Sequence, residues 1–436
     1  MTTTRISRRG FLGASGGALA ALALAGCSTG GGSSSGGGSG PIKFWNMQWG
    51  STAFIAKDRE ITTAYEPKDG LPPAAYQSIA WQSFTQAFST AIAANTGPAV
   101  SSGSGTQAFQ FAKEGKIAYA DDLIESWKSN GLYDDFLPGV FDAMKTEKGY
   151  VAVPYNLDMR VLWYSRSLLQ KAGVQPPTDW QSHKDACAAL KRIGVYGFGL
   201  SGGAQGNAFQ AIVGWMINNG GGIFDEEQKP NLVTPANIEA LEYVQELIRK
   251  GYADPRSNGY STTNTQAQWK AGKFGMQVEA PGLPAQLGGK FLTDVVVGDP
   301  LTSPSGQKGA LSFPNNIMMY TNTPSQKGSE AFLTYYIRKM KPLWTEKTGI
   351  GLPVLKSIAA TPEFQSDPNA AKMIEVWQPI CKTWAAPGGA ALFSNVTIVD
   401  STPPMTTFGQ NVISLQLGPK EALSTLQTTL MSSLKD

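Results

Sequence analysis

From Pro41 onward, short apolar runs alternate with stretches of helical spacing, the pattern of a mixed α/β fold. The apolar runs at 42–45, 150–153, 161–164, 195–200, 295–297 and 317–320 predict strands. The clearest helix opens at Thr234-Pro235, an N-cap residue followed by proline at the first helical position. Ile238, Leu241, Val244, Leu247 and Ile248 then fall on one face at helical spacing. Glu239 and Glu242 come early, Arg249 and Lys250 late, and Gly251 ends the run, as the helix dipole and a glycine stop require. A second helix is predicted over 179–192, opening after Thr178 and closing at Gly194. A last one over 420–434 carries Leu423, Leu426, Leu430 and Leu434. No internal repeat interrupts this order.

Ahead of the α/β pattern lies a different kind of sequence. Arg5, Arg8 and Arg9 precede an uninterrupted apolar and small-residue stretch, 11–26, too short for a stable membrane span. Ser7-Arg8-Arg9-Gly10-Phe11-Leu12 closely resembles the twin-arginine export motif. Leu24-Ala25-Gly26-Cys27 looks like a bacterial lipobox, in which the cysteine is acylated and becomes the mature N-terminus. The alternative is an ordinary signal peptide in which Cys27 is incidental. Residues 28–40 are almost entirely Gly and Ser and cannot bury apolar surface, so they read as a flexible tether with a reach of about 20 Å. The expected organisation is therefore a lipoprotein signal peptide over 1–26, a lipidated Cys27 with its tether to residue 40, and a globular remainder anchored outside a membrane.

A chain of 436 residues exceeds the usual single-domain size and predicts two domains. The 36 basic and 33 acidic residues leave a net charge of +3, and Arg5, Arg8 and Arg9 account for all of it. Such a balance excludes a general nucleic-acid binder and gives no long-range field favouring ions of either sign. One His and three Cys offer no zinc site, and no metal or cofactor is expected. Cys187 and Cys381 could pair or stay as buried thiols; their spacing leaves both open. His183 lies among polar residues and reads as a solvated helix side chain. Tyr335-Tyr336 raises the thought of tyrosinate-bound iron. The pair falls in an apparently amphipathic helix at 331–338, where adjacent positions do not share a face, and core packing is the better reading.

Candidate chemistry concentrates in two short segments. Trp45 and Trp49 flank Asn46 and Gln48 directly after a predicted strand, where α/β proteins commonly bind ligands. Aromatic faces beside amide groups suit sugars, which present apolar C–H faces edged with hydroxyls. Either tryptophan could instead be core. Asp158 and Arg160, two apart in an extended segment, point to one face. They form either a ligand-binding pair or an ion pair with each other.

The order of motifs resembles the extracellular solute-binding proteins of ABC importers, in the branch of maltose-type sugar receptors. The resemblance rests on Phe44-Trp45-Asn46-Met47-Gln48-Trp49-Gly50, the stretch 90–98, Val153-Pro154-Tyr155 and the stretch 162–168. Lys171-Ala172-Gly173-Val174, the Gly-rich turn at 218–224 and the stretches 269–276 and 348–354 complete it, so that it spans nearly all of 41–436. Ala99 departs from the Asp often found after Gly-Pro in that family. The resemblance implies a two-lobed periplasmic-binding-protein fold of the class II type, with hinge strands between the lobes and a ligand cleft. It implies one lobe from 41–155 plus 300–347 and another from 156–299 plus 348–436, with crossings near Tyr155, 299–305 and Thr348. As ligand contacts it implies Asp158, Thr106 and Gln107, then Asn207 and Phe209 in the second lobe, and Glu279 with Gly282 in a fourth segment; Tyr155, at the first crossing, is a further expected ligand contact. Maltose-type receptors carry a stacking Trp where this chain has Gly282-Leu283, which implies a sugar of different shape. The implied role is a non-enzymatic, monomeric receptor on the outer face of a bacterial membrane, delivering a mono- or oligosaccharide to its permease. Competing readings keep the fold but bind a polyamine or glycerol phosphate, or make the chain a glycoside hydrolase using Asp158 and Glu279.

Overall fold

The apolar runs assemble into two sheets of unequal size, with helices packed over both. The structure, a computed structural model, describes residues 40–434 apart from Gln205, Gly389, Ala390 and Ser401. The export motif, Cys27 and the tether up to residue 39 lie outside the described residues. In chain order the first strands are β1 (Ile42–Met47), β2 (Ala74–Ile79), β3 (Val100–Ser102) and β4 (Ile117–Ala118). A small hairpin, β5 (Lys145–Thr146) and β6 (Gly149–Tyr150), precedes β7 (Val153–Met159) and β8 (Val161–Ser165). Then come β9 (Met276–Glu279), β10 (Val295–Val297), β11 (Ala310–Tyr320), β12 (Leu352–Pro353) and β13 (Cys381–Lys382).

The larger sheet has the order β12-β7-β11-β3-β1-β2, with β4 and β13 pairing opposite ends of β11. Strands β1, β2 and β3 run parallel, with Ile42 opposite Ala74 and Phe44 opposite Val100. The smaller sheet is antiparallel, β10-β8-β9. Helices Thr52–Thr63 and Gln326–Lys339 cover the large sheet, so β1 is buried along almost its whole length rather than on alternate residues. Helices Ala208–Asn218, Pro235–Arg249, Pro403–Ile413 and Pro419–Ser433 pack together into the second lobe.

Strand β11 reaches both lobes. Its start pairs with β13, and a Cβ on Gly309 would lie 2.8 Å from the Ile217 carbonyl of helix Ala208–Asn218. Its end pairs with β3 and β4, and its register against β7 shifts between Asn315 and Asn316. Later segments divide as well. Leu352 pairs with Leu157, and Ser357 bonds to Asp135 of the first lobe. Asn369 accepts from the Val297 amide, and Trp377 donates to the Gly298 carbonyl, both in the second.

The expected strands at 42–45, 161–164, 295–297 and 317–320 form within β1, β8, β10 and β11. The run 150–153 divides between the end of β6 and the start of β7. The run 195–200 makes only isolated bridges, Tyr196 to Phe274 and Gly199 to Gln277. Its glycines explain this: a Cβ on Gly197 would lie 2.5 Å from Cys187 Cα, so the segment is pressed against a helix instead of extending a ladder. The helix Pro235–Arg249 starts as expected, the Thr234 hydroxyl accepting from the Asn237 amide, and Gly251 leaves it at φ +68°. The helix at 179 begins one residue late. Asp179, not Thr178, is its N-cap, in a capping box with Ser182 over Trp180–Arg192.

His183 is a correction. It is fully buried on the inner face of that helix, 2.8 Å from the Tyr243 hydroxyl, and burial lowers its pKa to about 3. Trp180, Cys187 and Leu190 share its face, so its polar sequence neighbours belong to the other side. Cys187 and Cys381 are free thiols, both raised by burial. Tyr336 is core, and half-buried Tyr335 donates to the Ile61 carbonyl. Among the described residues no His, Cys, Asp or Glu cluster could hold a metal, and no helix is long and apolar enough to cross a membrane.

Candidate ligand-binding site

Parallel strands deliver their following loops to one edge of a sheet, and in α/β folds that carboxyl edge is where ligands bind. Here it carries Gln48-Trp49 after β1, Trp81 after β2 and the stretch from Gly103 to Thr106 after β3. Trp49 Nε1 donates to Ser102 Oγ at 3.0 Å and to Asn46 Oδ1 at 3.2 Å. Its indole meets Trp81 edge-on, 4.9 Å between centroids and 81° between planes, and meets Tyr155 at 6.2 Å. Trp81 Nε1 in turn donates to the Gln48 carbonyl at 3.0 Å, while 39% of Trp81 stays exposed. Trp49 and Gln48 are half-buried.

Behind this loop sits a buried polar knot. Asn46 Nδ2 lies 2.8 Å from Asp58 Oδ2, 3.1 Å from the Tyr336 hydroxyl and 3.2 Å from the Tyr155 hydroxyl. Tyr336 donates to Asp58 as well. Burial raises the Asp58 carboxyl from 3.8 to about 6, against the lowering effect of its Tyr336, Tyr76 and Asn46 hydrogen bonds. Tyr155 is therefore an interior residue whose hydroxyl is engaged within the lobe. Trp45 is interior too, packed edge-on against Phe88 at 5.3 Å. Both side chains are engaged by partners within the first lobe in this structure.

The remaining candidates fall into two groups, Thr106, Asp158, Arg160 and Phe209 about the end of β7 and the first half of β11, and Asn207, Glu279 and Gly282 about the end of β9. Thr106 donates to Asp400 at 2.9 Å, and Gln107 is buried against Gly103. Asp158 and Arg160 bind each other, Nη1 lying 2.9 Å from both carboxylate oxygens, so the ion-pair alternative is the arrangement present. Arg160 Nε also donates to Gln210 at 2.8 Å, and the guanidinium lies 4.6 Å from the Phe313 ring centroid. Phe209 is buried and stacks parallel to Trp384. A small pocket between Thr106, Phe313, Pro314, Trp384 and Asp400 joins these groups. Glu279 is buried and accepts from Asn207 Nδ2 at 2.8 Å, the Ala280 amide at 2.9 Å and Gln277 at 3.0 Å. A Cβ on Gly282 would lie 3.4 Å from the Gly349 carbonyl, and Gly349 also abuts Gly50 of the first loop.

Several polar atoms here are buried without a hydrogen-bond partner among the described residues: Gln107 Oε1, Asn156 Nδ2, Asn316 Oδ1 and Trp384 Nε1. Asn316 Nδ2 donates to the Gly105 carbonyl, and Gly105 and Trp384 line the same small pocket. Such groups are rare in a settled interior and mark places for water or a polar ligand. Sequence reasoning missed Trp81, Trp384, Phe313 and Asp400. Trp81 had a signal, an aromatic two residues beyond a strand, but β2 reads Ala-Ala-Tyr-Gln-Ser-Ile and shows no clean alternation. The other three depend on chain crossings that spacing does not reveal.

Two α/β lobes sharing long strands, with aromatic and uncharged polar groups at the strand ends, define a receptor for a small polar molecule. The family model for the bacterial extracellular solute-binding proteins matches residues 74–340, and the chain belongs to that family, whose members act outside the cytoplasm. The crystal structure of a sugar transporter from Arthrobacter chlorophenolicus with bound laminaribiose is 46% identical, with a TM-score of 0.85 over 91% of this chain and all of that one. A putative binding protein of Brucella abortus is 25% identical over 343 residues, 74% of this chain and 81% of that protein. A mannitol-binding protein of Pseudomonas aeruginosa is 30% identical over 167 residues, 37% of each chain.

Proposed function

We propose that this chain is the sugar receptor of an ABC importer, capturing a mono- or oligosaccharide between its lobes and presenting it to the permease. The observation that carries this reading is the pairing of Trp49 and Trp81 at the carboxyl edge of β1 and β2, beside the half-buried amide side chain of Gln48. Flat apolar faces beside neutral donors and acceptors complement a polyhydroxylated ring. Its 46% identical structural neighbour holds a glucose disaccharide, which supports the same class. A polyamine would need unpaired carboxylates, whereas Asp158 is held by Arg160 and Glu279 by three N–H donors. The same pairing disfavours a hydrolase, because an acid–base pair needs one carboxyl free to give a proton.

The ligand contacts in this reading come from Gln48, Trp49, Thr106 and Gln107 on one lobe and from Asp158, Arg160, Asn207, Phe209, Glu279 and Gly282 on the other. The charged members act chiefly through the fixed amide and guanidinium groups around them. The lobe boundaries follow the pairings described above. The crossings in this reading stay near Tyr155, 299–305 and Thr348, with β7, β11 and β12 pairing along the hinge between the lobes. Closure about these strands is the two-state element, driven by the ligand's preference for the closed form. Cys27 carries the lipid that holds a monomeric receptor at the outer face of the membrane.

The test is a thermal-shift and calorimetric screen against sugars, spermidine and glycerol phosphate. Sugars should raise the melting temperature; silence toward every sugar with a response to spermidine or glycerol phosphate overturns the reading. Mass spectrometry of the membrane-derived protein should find Cys27 acylated, and an unmodified Cys27 refutes the anchor.

A further inference from the structure

We propose that Asp58 is a positioning residue of the ligand site: from the interior of the first lobe, acting through Asn46, its carboxylate fixes the indole of Trp49 and so sets the affinity for sugar. The proposal rests on the sugar-receptor reading above.

Asn46 stands in the middle of the relay and is fully buried. Its Nδ2 lies 2.8 Å from Asp58 Oδ2 and also faces the Tyr336 and Tyr155 hydroxyls at 3.1 and 3.2 Å. Its Oδ1 accepts from the Ser102 hydroxyl and from Trp49 Nε1. Ser102 Oγ in turn accepts from Trp49 Nε1 and from the Met47 amide, each at 3.0 Å. The two ends of an asparagine amide are chemically different, and only one orientation suits these neighbours. Hydroxyls give or take a hydrogen bond and tolerate either end. A carboxylate only accepts and an indole N–H only donates, so these two turn the NH₂ toward Asp58 and the carbonyl toward Trp49. Asp58 thereby decides where the acceptor for Trp49 points.

No cation holds the carboxylate among the described residues. It faces Asn46 of β1, Tyr76 of β2, Tyr155 of β7 and Tyr336 of the helix Gln326–Lys339. On its own helix, Lys57 pairs with Glu60 and Glu346, and Arg59 lies over the Tyr76 ring, 5.3 Å from its centroid. Burial raises the Asp58 carboxyl to about 6. Protonation takes the charge out of its bond to Asn46, and charge-assisted hydrogen bonds are about twice as strong as neutral ones. A ring held in place binds without losing rotamer freedom, so affinity should fall as Asp58 takes up its proton. His183, the chain's one histidine, stays neutral over this range because burial lowers its pKa to about 3.

The test has two readouts on the full chain. One is the NMR resonance of the Trp49 indole N–H, identified by its loss in Trp49→Ala and followed from pH 7.5 to 5 without sugar. The other is calorimetric titration with laminaribiose, maltose and glucose over the same range. In the wild type the resonance should move with a midpoint near 6, and sugar affinity should fall about three- to ten-fold from the higher pH to the lower. In Asp58→Asn neither should change with pH, and affinity should stay at the low-pH level of the wild type. A wild-type resonance that does not move near pH 6 overturns the proposal, as does wild-type affinity in Asp58→Asn at pH 7.5. A weakened variant beside a wild type whose affinity ignores pH also overturns it, since mere damage to the lobe would give that result. The wild-type measurements stand even where the variant does not fold. The resonance needs no sugar, so a wild type that binds no sugar overturns the receptor reading instead, and the two failures are told apart.

Discussion

Asp58 gives the sharpest quantitative handle on the first lobe. It is buried among Asn46, Tyr76, Tyr155 and Tyr336, and no ion pair holds it among the described residues. Burial disfavours its charge, and the folded-state pKa stands at about 6 against an ordinary 3.8. Between those values the folded protein binds a proton that the unfolded chain has released. The stabilisation is therefore fully present below about pH 4 and is lost as pH rises through about 6. At about 1.4 kcal/mol per pH unit the whole effect is about 3 kcal/mol. About 2 kcal/mol of it falls between pH 4.5 and 7.5. Other carboxylates contribute to the total with their own signs, so the informative quantity is the difference between the wild type and Asp58→Asn, measured by urea unfolding at several pH values. The wild type should lose about 2 kcal/mol relative to the variant on going from pH 4.5 to 7.5. A difference that is flat, or that grows with pH, would refute the reasoning, because it would mean that the carboxylate is solvated or held by a cation.

Trp49→Ala should weaken sugar binding by about 1–3 kcal/mol while the protein stays folded; unchanged affinity in a calorimetric titration removes Trp49 from the site. Asp158→Ala strands the buried Arg160 guanidinium and should cost about 3 kcal/mol by denaturant midpoint, with much of it recovered in the Asp158→Ala/Arg160→Met double variant. An unshifted midpoint in the single variant contradicts the buried pair. The ring resonances of His183, the chain's one histidine, should not move between pH 8 and 5, since its pKa is lowered to about 3; a transition near 6.5 would place it in water. Thr234→Ala removes the N-cap acceptor of Pro235–Arg249 and should lower stability by about 1 kcal/mol, a loss that Thr234→Ser largely avoids.

Local signals carried much of the fold because their causes are local. Thr234-Pro235 and Gly251 bound a helix through capping and φ preference, which a short window contains. The strands within 42–47 and 161–165 declare themselves as apolar runs. The misreadings share one origin. The face of the helix Trp180–Arg192 that holds His183 is set by what packs on it, Tyr243 and Trp215 from distant helices, and neighbouring polar residues say nothing of that. The run 195–200 has strand-like composition, yet the close approach of Cys187 leaves it only two bridges. In the site, the Gln48-Trp49 loop was legible because it directly follows an apolar strand. Trp384 and Asp400 lie more than 270 residues beyond Thr106, and nothing in the intervening spacing marks them as partners.

By itself the sequence determined the α/β class, the export and lipidation motifs as expectations, the absence of a long-range charge bias, and the loop where aromatic and amide groups coincide. These rest on periodicity, composition and short motifs, each a property of contiguous residues. Only the tertiary structure decided that Tyr155 and Trp45 face inward, that Asp158 and Arg160 neutralise each other, and that Trp81 stands beside Trp49. Those outcomes depend on which strand lies next to which. Strand order in a sheet is set by the burial that distant segments achieve together, so it is written in the packed chain and not in any stretch of it.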